Sequence, residues 1–556
     1  MTSFVFRVCG IATVAAAILI LSACGGGGGG GGDAVVPPTT PIDVQVRVSG
    51  ASPFAAACGG AGPGGVLYPG AEVEPFVAIN PTDAANVVGV WQQDRWSTGG
   101  AQGLLTGISF DGGRTWSPRM ASFSRCAGGT PANGGDYERA SDPWVTFAPD
   151  GTAYQIAIAF SGANFAAGSV NSVLVSRSAD GGRSWSDPVT LIRDGSGYFN
   201  DKEAITADPA DARHVYAVWD RIDASGTGPA MMSRTTNGGI TWEAPRAIFD
   251  AGAGNQTLNN QIVVLPDGTL VDFFTRFTAG AGSALVVIRS QDKGLTWSAP
   301  IVVAQTQALG TRDPDAGTPI RDGANLGSIA AGRNGTLVAV WQDGRFSGGL
   351  RDGIAFARST DGGLTWSAPV RINSVPAVQA FVPAAHVRAD GTIGVTYYDL
   401  RNNTGDPATL PTDYWLVRSA DGVTWTESHV SGPFDLALAP NARGLFVGDY
   451  QALASIGSVF VPFYAQTNSG NTSNRTDVYL SVMNSATTYM ASAADALLQA
   501  NREGNETTFR AAGAPPLAMT PDLSRRLAAS AARTIERRAR GTMPESVLRA
   551  WGPTTP

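Results

Sequence analysis

"SFDGGRTW", Ser109–Trp116, recurs along this chain. "SADGGRSW" stands at Ser178–Trp185, "TTNGGITW" at Thr235–Trp242, "SQDKGLTW" at Ser290–Trp297 and "STDGGLTW" at Ser359–Trp366, with a shortened "SADGVTW" at Ser419–Trp425. Each copy follows an apolar or alternating run such as "SVLVSR" or "ALVVIR" and precedes strand-like sequence such as "SAPIVVA". Strand, Asp-Gly-Gly turn, strand predicts a β-hairpin. The Asp carboxylate accepts backbone N–H groups within its own turn, and the glycines supply positive φ at low steric cost. The Trp gives a small sheet a large apolar anchor. A motif written six times in one chain has no single substrate, so it reads as scaffold rather than as an active site.

A second hairpin precedes each copy, as in "EPFVAINPTDAANVVGVWQQDR" and "NDKEAITADPADARHVYAVWDR". Together the two hairpins make four antiparallel strands over roughly sixty residues, which is a propeller blade. Seven such units are present although six carry the octapeptide; the last continues into "DVYLSVMNSATT" without a fourth strand. Ile42–Val48, "IDVQVRV", alternates apolar and polar residues and can supply it, since propellers close by pairing one terminus into the last blade. The fold class expected is therefore an all-β propeller of four-stranded antiparallel blades over residues 42–485. The expected count is seven blades, with six the competing count, and a short helical tail follows.

The ends are of different composition. Residues 1–23 carry an early positive charge and a short apolar run, which reads as a secretory signal. Leu21-Ser22-Ala23-Cys24 resembles the lipobox of bacterial lipoproteins, which implies a lipidated Cys24 and, with glycine next, an outer membrane location on the periplasmic side or the cell surface. A plain signal peptide or an uncleaved anchor is the alternative. Gly25–Gly32 are eight consecutive glycines, so residues 24–41 read as a flexible tether. Cys58 and Cys126 then remain as an even pair in an oxidising compartment, and a disulfide is expected. Residues 486–556 read as an Ala-rich helical extension. In it Thr520 is an N-cap, Pro521 the first helical residue, and Leu523, Leu527, Ala531 and Ile535 one stripe. Arg525, Arg526, Arg533, Arg537 and Arg540 fall opposite that stripe. Packing on the ring is the plain reading of this helix, and contact with an anionic membrane the sharper one.

Net charge is −7 and Lys202 and Lys293 are the two lysines, so no basic stripe exists to follow a nucleic acid backbone. His214, His386 and His429 are scattered and no second Cys stands near another, so neither a metal nor a cofactor is expected.

The octapeptide, S-x-D-x-G-x-T-W, is identified with the Asp-box, or BNR repeat, of the sialidase superfamily, and the likeness spans most of Glu74–Met483. The chain resembles bacterial sialidase-like secreted proteins. That resemblance implies a propeller acting on glycans, with a Tyr–Glu nucleophile pair, an Asp acid/base and arginines that grip a carboxylate. The family's Arg-Ile-Pro motif is replaced by "VEPFVAI", with Glu74 in the arginine's place.

Topology places the functional face at the first-strand starts and second-strand ends, away from the Asp-boxes. By the resemblance, Tyr450 is the candidate nucleophile, Glu203 its partner and Asp142 the acid/base. Glu74, Arg95, Asp201, Lys202, Arg221, Arg276, Arg345 and Arg401 are the substrate-binding candidates, and each Asp-Arg pair can equally be a structural ion pair. The Cys126 loop, ending "GDYERASDP", would add Asp136, Tyr137 or Arg139. The function expected is a monomeric cell-envelope glycoside hydrolase, sialidase-like in kind, that acts on glycans and holds the membrane by a lipid anchor. The alternative is a non-catalytic propeller binding glycan or protein.

Overall fold

The computed structural model describes residues 42–60, 64–485, 506–515 and 518–539. The signal, Cys24, the tether, the Ala-rich run 491–501 and Arg540 lie outside the described residues, as does the side chain of Arg537.

The strands pair antiparallel in chain order: two sheets are four-stranded, two five-stranded with a strand from the tail, and the rest are linked by single bridges into one twelve-stranded sheet, which divides along the chain into further groups. The first runs Leu67–Ile79, Val87–Trp96, Ala101–Ser109, Ser117–Arg119, and the second Arg139–Phe147, Ala153–Ser161, Val170–Ser178, Val189–Asp194. The third is Tyr198–Ala207, Val215–Asp223, Ala230–Thr235, Arg246–Phe249, and the fourth Gln256–Val264, Leu270–Thr278, Gly282–Ser290, Ile301–Gln305. Gly327–Ala331, Leu337–Asp343, Gly353–Ser359, Val370–Arg371 form the fifth; Ala380–Val387, Ile393–Asp399, Pro411–Ser419, Thr424–Asp435 form the sixth. Ala452–Ile456, Val459–Thr467 and Thr476–Ser485 form the seventh, and Ile42–Arg47 pairs antiparallel with its third strand, Arg47 opposite Tyr479. Single bridge pairs, Ala71–Thr476 and Ala101–Ala140, tie the first sheet to the seventh and the second.

Each octapeptide folds as its letters predict. Ser109 Oγ donates to Asp111 Oδ1 at 2.7 Å and accepts the Gly113 N–H at 2.9 Å. The Thr115 hydroxyl donates to Asp111 Oδ2 at 2.6 Å and its N–H to Oδ1 at 3.0 Å. In the copy at Ser359, the hydroxyl and N–H of Thr365 hold the Asp361 carboxyl down at about 2. Asn237 replaces the carboxylate in the third copy and keeps the Thr241 N–H bond at 3.0 Å.

The tryptophans show what the motif is for. Trp116 packs where the seventh sheet meets the first, and Trp185 where the first meets the second. Trp242, Trp297, Trp366 and Trp425 occupy the next four junctions in order. Each octapeptide thus hangs a wedge between its own sheet and the one before, which is why a stack of small sheets can share continuous cores. The sixth and seventh sheets meet without one, because the seventh has no octapeptide. Tyrosines fill that junction: Tyr398, Tyr414 and Tyr464 stack with centroids 4.4 Å apart at each step.

The tail carries strand as well as helix. Thr507–Arg510 pairs with the outer strand of the sixth sheet and Ala512–Gly513 with that of the fifth. Outer strands present unpaired N–H and C=O groups, and a following segment able to lie flat satisfies them. The helix Pro521–Ala539 starts as its cap predicts, the Leu523 N–H donating to Thr520 Oγ1 at 3.1 Å. Its apolar stripe is turned inward, Leu523 and Ala531 being buried. Arg533 is not on the solvent side, since its guanidinium donates to the Leu309 carbonyl at 2.7 Å.

Candidate functional site

The innermost strands carry a repeated distortion. Their register shifts between Val73 and Phe76, Ser141 and Trp144, Asp201 and Ala204, Leu258 and Gln261, and Phe381 and Ala384. The bulged residues have left-handed backbone: Glu74 at φ 53°, Asp142 at 52°, Lys202 at 50°, Asn259 at 66° and Val382 at 51°. A bulge in this conformation normally takes glycine, and each non-glycine residue so held costs about 1–3 kcal/mol. Asparagine tolerates the region; glutamate, lysine and above all β-branched valine do not. The distortion re-aims the side chains of Glu74, Asp142 and Lys202 toward one another.

Lys202 is the hub. Its Nζ donates to Glu74 Oε1 at 2.9 Å and to Asp142 Oδ1, and lies 3.1 Å from Asp449 Oδ2. Arg321 grips Asp449 from the other side, Nε to Oδ1 at 3.1 Å and Nη2 to Oδ2 at 2.6 Å. Ser141 Oγ donates to Asp142 Oδ2 at 2.7 Å, and the Gln92 amide donates to Glu74 and to Ser141 Oγ. Arg95 donates to Gln92 and lies with Arg321 over the Phe446 ring, at 4.9 and 4.3 Å. Burial dominates the energetics. It pushes the Glu74 carboxyl up to about 7, with the Asp142 charge adding to it. Burial also opposes the Lys202 ammonium, but Asp142, Glu74 and Asp449 outweigh it and hold the group well above its ordinary value. Arg95 falls to about 10 through burial and its neighbour Arg321.

A cavity of about 80 Å³ opens beside this cluster, lined by Arg95, Arg139, Arg321 and Arg443 together with Asp142, Asp201, Lys202 and Asp449. Space of that size holds a few waters or one small polar group. Thr534 of the C-terminal helix lines the same cavity, and its hydroxyl donates to the Ala324 carbonyl at 3.0 Å, so the helix stands over one wall.

The proposed catalytic residues are not assembled around that space. Asp142 faces it. Tyr450 lines a neighbouring cavity with Phe76 and Trp144, and its hydroxyl donates to the Pro143 carbonyl at 3.1 Å. Burial, then the Glu74 charge, raises the phenol well above its usual range, which holds it as a neutral donor. Glu203 takes the position that Pro75, Pro143 and Pro383 hold in their own sheets. It points between the second and third sheets, where Oε1 accepts the Ile158 N–H at 2.6 Å and Oε2 is buried without a hydrogen bond. Burial and the Asp142 charge keep its carboxyl well above the ordinary range. Tyr450 and Glu203 are thus bonded to separate partners, Pro143 and Ile158.

Of the substrate-binding candidates, Glu74, Arg95, Asp201 and Lys202 gather here. Arg221, Arg345 and Arg401 do not; Arg345 and Arg401 are fastened to carboxylates of their own sheets, and Arg221 reaches across to Asp194 on the outer strand of the second sheet. Arg221 bonds Asp194 at 2.8 and 2.7 Å, Arg345 bonds Asp343 at 2.8 Å twice, and Arg401 bonds Asp399 at 2.8 Å and Glu427 at 2.7 Å. Arg276 is half-buried in the fourth sheet, away from the cavity. Asp136 pairs with Arg125 at 2.6 Å and Tyr137 bonds Ser172 at 2.7 Å, leaving Arg139 as that loop's contribution. Arg321 and Arg443 were not among the sequence candidates.

No family model matches the chain, and no curated protein matches it. Among solved structures, a protein of unknown function from Dyadobacter fermentans is 15% identical with a TM-score of 0.41, over 65% of this chain and 95% of its own. A Hadza microbial sialidase is 16% identical with a TM-score of 0.40, over 73% of this chain and 75% of its own. An α-L-arabinanase of Penicillium chrysogenum complexed with arabinobiose is 14% identical with a TM-score of 0.39, over 80% of this chain and 98% of its own. Likeness at this level leaves the chemistry to be argued from the residues.

Proposed function

We propose that this chain is a seven-bladed, envelope-anchored propeller that recognises an acidic glycan at the axial cavity. The observation that carries the reading is the wall of that cavity: Arg95, Arg139, Arg321 and Arg443 on one small space. Guanidinium forks match a carboxylate bidentately, and with Lys202 these four cations outnumber the three carboxylates of the same lining, Asp142, Asp201 and Asp449. The seven junction cores, each shared by neighbouring sheets and the last returning to the first, support the blade count.

Hydrolysis of the bound glycan would rest on Asp142, the candidate carboxyl that reaches the cavity and is thus placed to exchange a proton with a glycosidic oxygen. Recognition without turnover is the second reading. The commitment of Glu74, Asp142 and Asp449 to one ammonium favours it. The purified chain is to be titrated and assayed with aryl glycosides of acidic sugars, the sialoside and uronides included. Release of the aryl group, lost about 10²-fold or more in Asp142→Asn per folded molecule, supports hydrolysis. Binding without release supports recognition, and neither binding nor release sinks both.

Attachment at the outer membrane through Cys24 belongs to the same proposal, on the strength of the Leu-Ser-Ala-Cys sequence and the glycine tether. Cells expressing the chain should incorporate labelled palmitate into it, and Cys24→Ser should abolish the label. Label retained in that variant refutes anchoring at this cysteine.

A further inference from the structure

A space much larger than the axial cavity lies along the C-terminal helix. It is an open groove of about 860 Å³, walled by the helix through Arg526 and Arg533, by the stretch between the fourth and fifth sheets through Arg312, and by loops of the fifth and sixth sheets through Arg351 and Arg401. The lining includes a single carboxylate, Asp313, and that group is turned into its own loop to accept the Asp315 and Ala316 N–H groups at 2.8 and 3.0 Å. In a chain of net charge −7, five guanidiniums facing one groove are not a by-product of composition.

How the arginines are held matters more than their number. Arg401 is neutralised by Asp399 and Glu427. Arg312 and Arg351 are held differently, by the carbonyls of Gly317 at 3.3 Å and Pro376 at 3.1 Å. Among the described residues neither has a carboxylate within ion-pair distance. A main-chain carbonyl fixes the direction of a guanidinium while leaving its unit charge in place, so these two forks are oriented in advance for an anion. Arg533 donates to the Leu309 carbonyl at 2.7 Å. Arg526 completes the wall from the helix.

We infer that this groove is a binding site for an anionic oligosaccharide, its carboxylate or sulfate groups seated on Arg312, Arg351 and Arg526. The volume falls in the range of ligand pockets and is an order of magnitude above what the axial cavity offers. A chain of oxyanion-bearing sugars suits several planar cations lining one groove better than a bilayer does. An interfacial helix must offer its apolar face to lipid, and here Leu523 and Ala531 of that face are already buried against the protein. The inference stands on the groove's own residues and holds whether or not the axial cavity turns a substrate over.

Calorimetric titration of the full chain tests it with four probes: tetragalacturonate, its methyl ester, a sulfated dextran oligomer, and phosphatidylglycerol vesicles. Tetragalacturonate or the sulfated oligomer should bind, and which binds tighter identifies the oxyanion. Arg351→Ala and Arg526→Ala should each raise Kd at least fivefold and their combination should remove measurable binding, with melting unchanged. Arg119→Ala, far from the groove, should bind as the parent chain does. Equal affinity for the acid and its methyl ester, groove variants that bind like the parent, or binding to vesicles alone would each overturn the assignment. Loss of glycoside release in an axial variant leaves this result untouched, so the two sites fail separately.

Discussion

Lys202→Met is expected to be the most damaging single change in this protein, lowering stability by about 3–5 kcal/mol, a large part of what a folded domain has. The ammonium is 7% exposed and is the meeting point of Glu74, Asp142 and Asp449. Methionine fills the volume and removes the one ion pair that Glu74 and Asp142 each make among the described residues, while Asp449 keeps Arg321. The deficit should depend on pH. Burial and the Asp142 charge already push the Glu74 carboxyl of the parent chain from 4.5 up to about 7. A carboxyl whose folded value is raised contributes stability that is present below its unfolded value and is lost as pH rises through the folded one. Without Lys202 that folded value rises further, so the deficit should be largest near pH 8 and shrink toward pH 5.5. His386, held down at about 4 by burial, acts in the opposite direction as pH falls below 6.5, and comparison with the parent chain at each pH cancels it. Glu203→Gln is the control. An amide mimics the protonated acid that burial enforces there, so urea midpoints should shift by no more than about 0.5 kcal/mol. A Lys202→Met deficit equal at both pH values would show that the loss is packing rather than charge.

What the sequence disclosed follows from which forces are local. The octapeptide's bonds lie within five residues of one another, so Asp111 and its copies could be read from spacing alone. The starts of the inner strands were legible for the same reason, and Glu74, Asp142 and Lys202 do converge. Where a side chain points after a bulge is decided by a single φ angle, and that is invisible in a strand pattern. Glu203 and Lys202 are neighbours, yet Lys202 faces the cavity and Glu203 the gap between sheets. Arg321 escaped notice because it sits in the irregular stretch between Ile301–Gln305 and Gly327–Ala331, where no period marks a position. The repeated Asp-Arg pairs looked alike in sequence. The structure separates them by distance, with Arg345 and Arg401 satisfied within their own sheets, Arg221 by Asp194 of the neighbouring sheet, and Arg95 turned to the cavity.

Removing the Cys58–Cys126 disulfide is expected to have the second-largest effect. The two cysteines are 68 residues apart and their Cα atoms 5.0 Å apart, and the bond closes a loop containing the whole first sheet. Loop-closure entropy for a ring of that length is worth about 4 kcal/mol at 25 °C, with about 2–4 the usual measured range. The bond also acts locally. Cys126 lies in the short turn Arg125–Ala127, Arg125 clasps Asp136 at 2.6 Å, and three residues further on Arg139 enters the cavity wall. Arg139 is held by the Gly99 carbonyl at 2.7 Å and by Thr98 Oγ1 at 2.9 Å, so slack in the loop reaches the axis through one side chain. The double variant Cys58→Ser, Cys126→Ser should therefore lose about 2–4 kcal/mol in urea unfolding and bind the acidic glycan less tightly at the axial cavity. Reductant should move the parent chain to the same midpoint and leave the variant unmoved. A parent chain whose thiols are shown free by mass, yet whose midpoint has not shifted, would mean that the first sheet is held by its junction cores alone. Trp116 and Trp185 would then be the residues to remove.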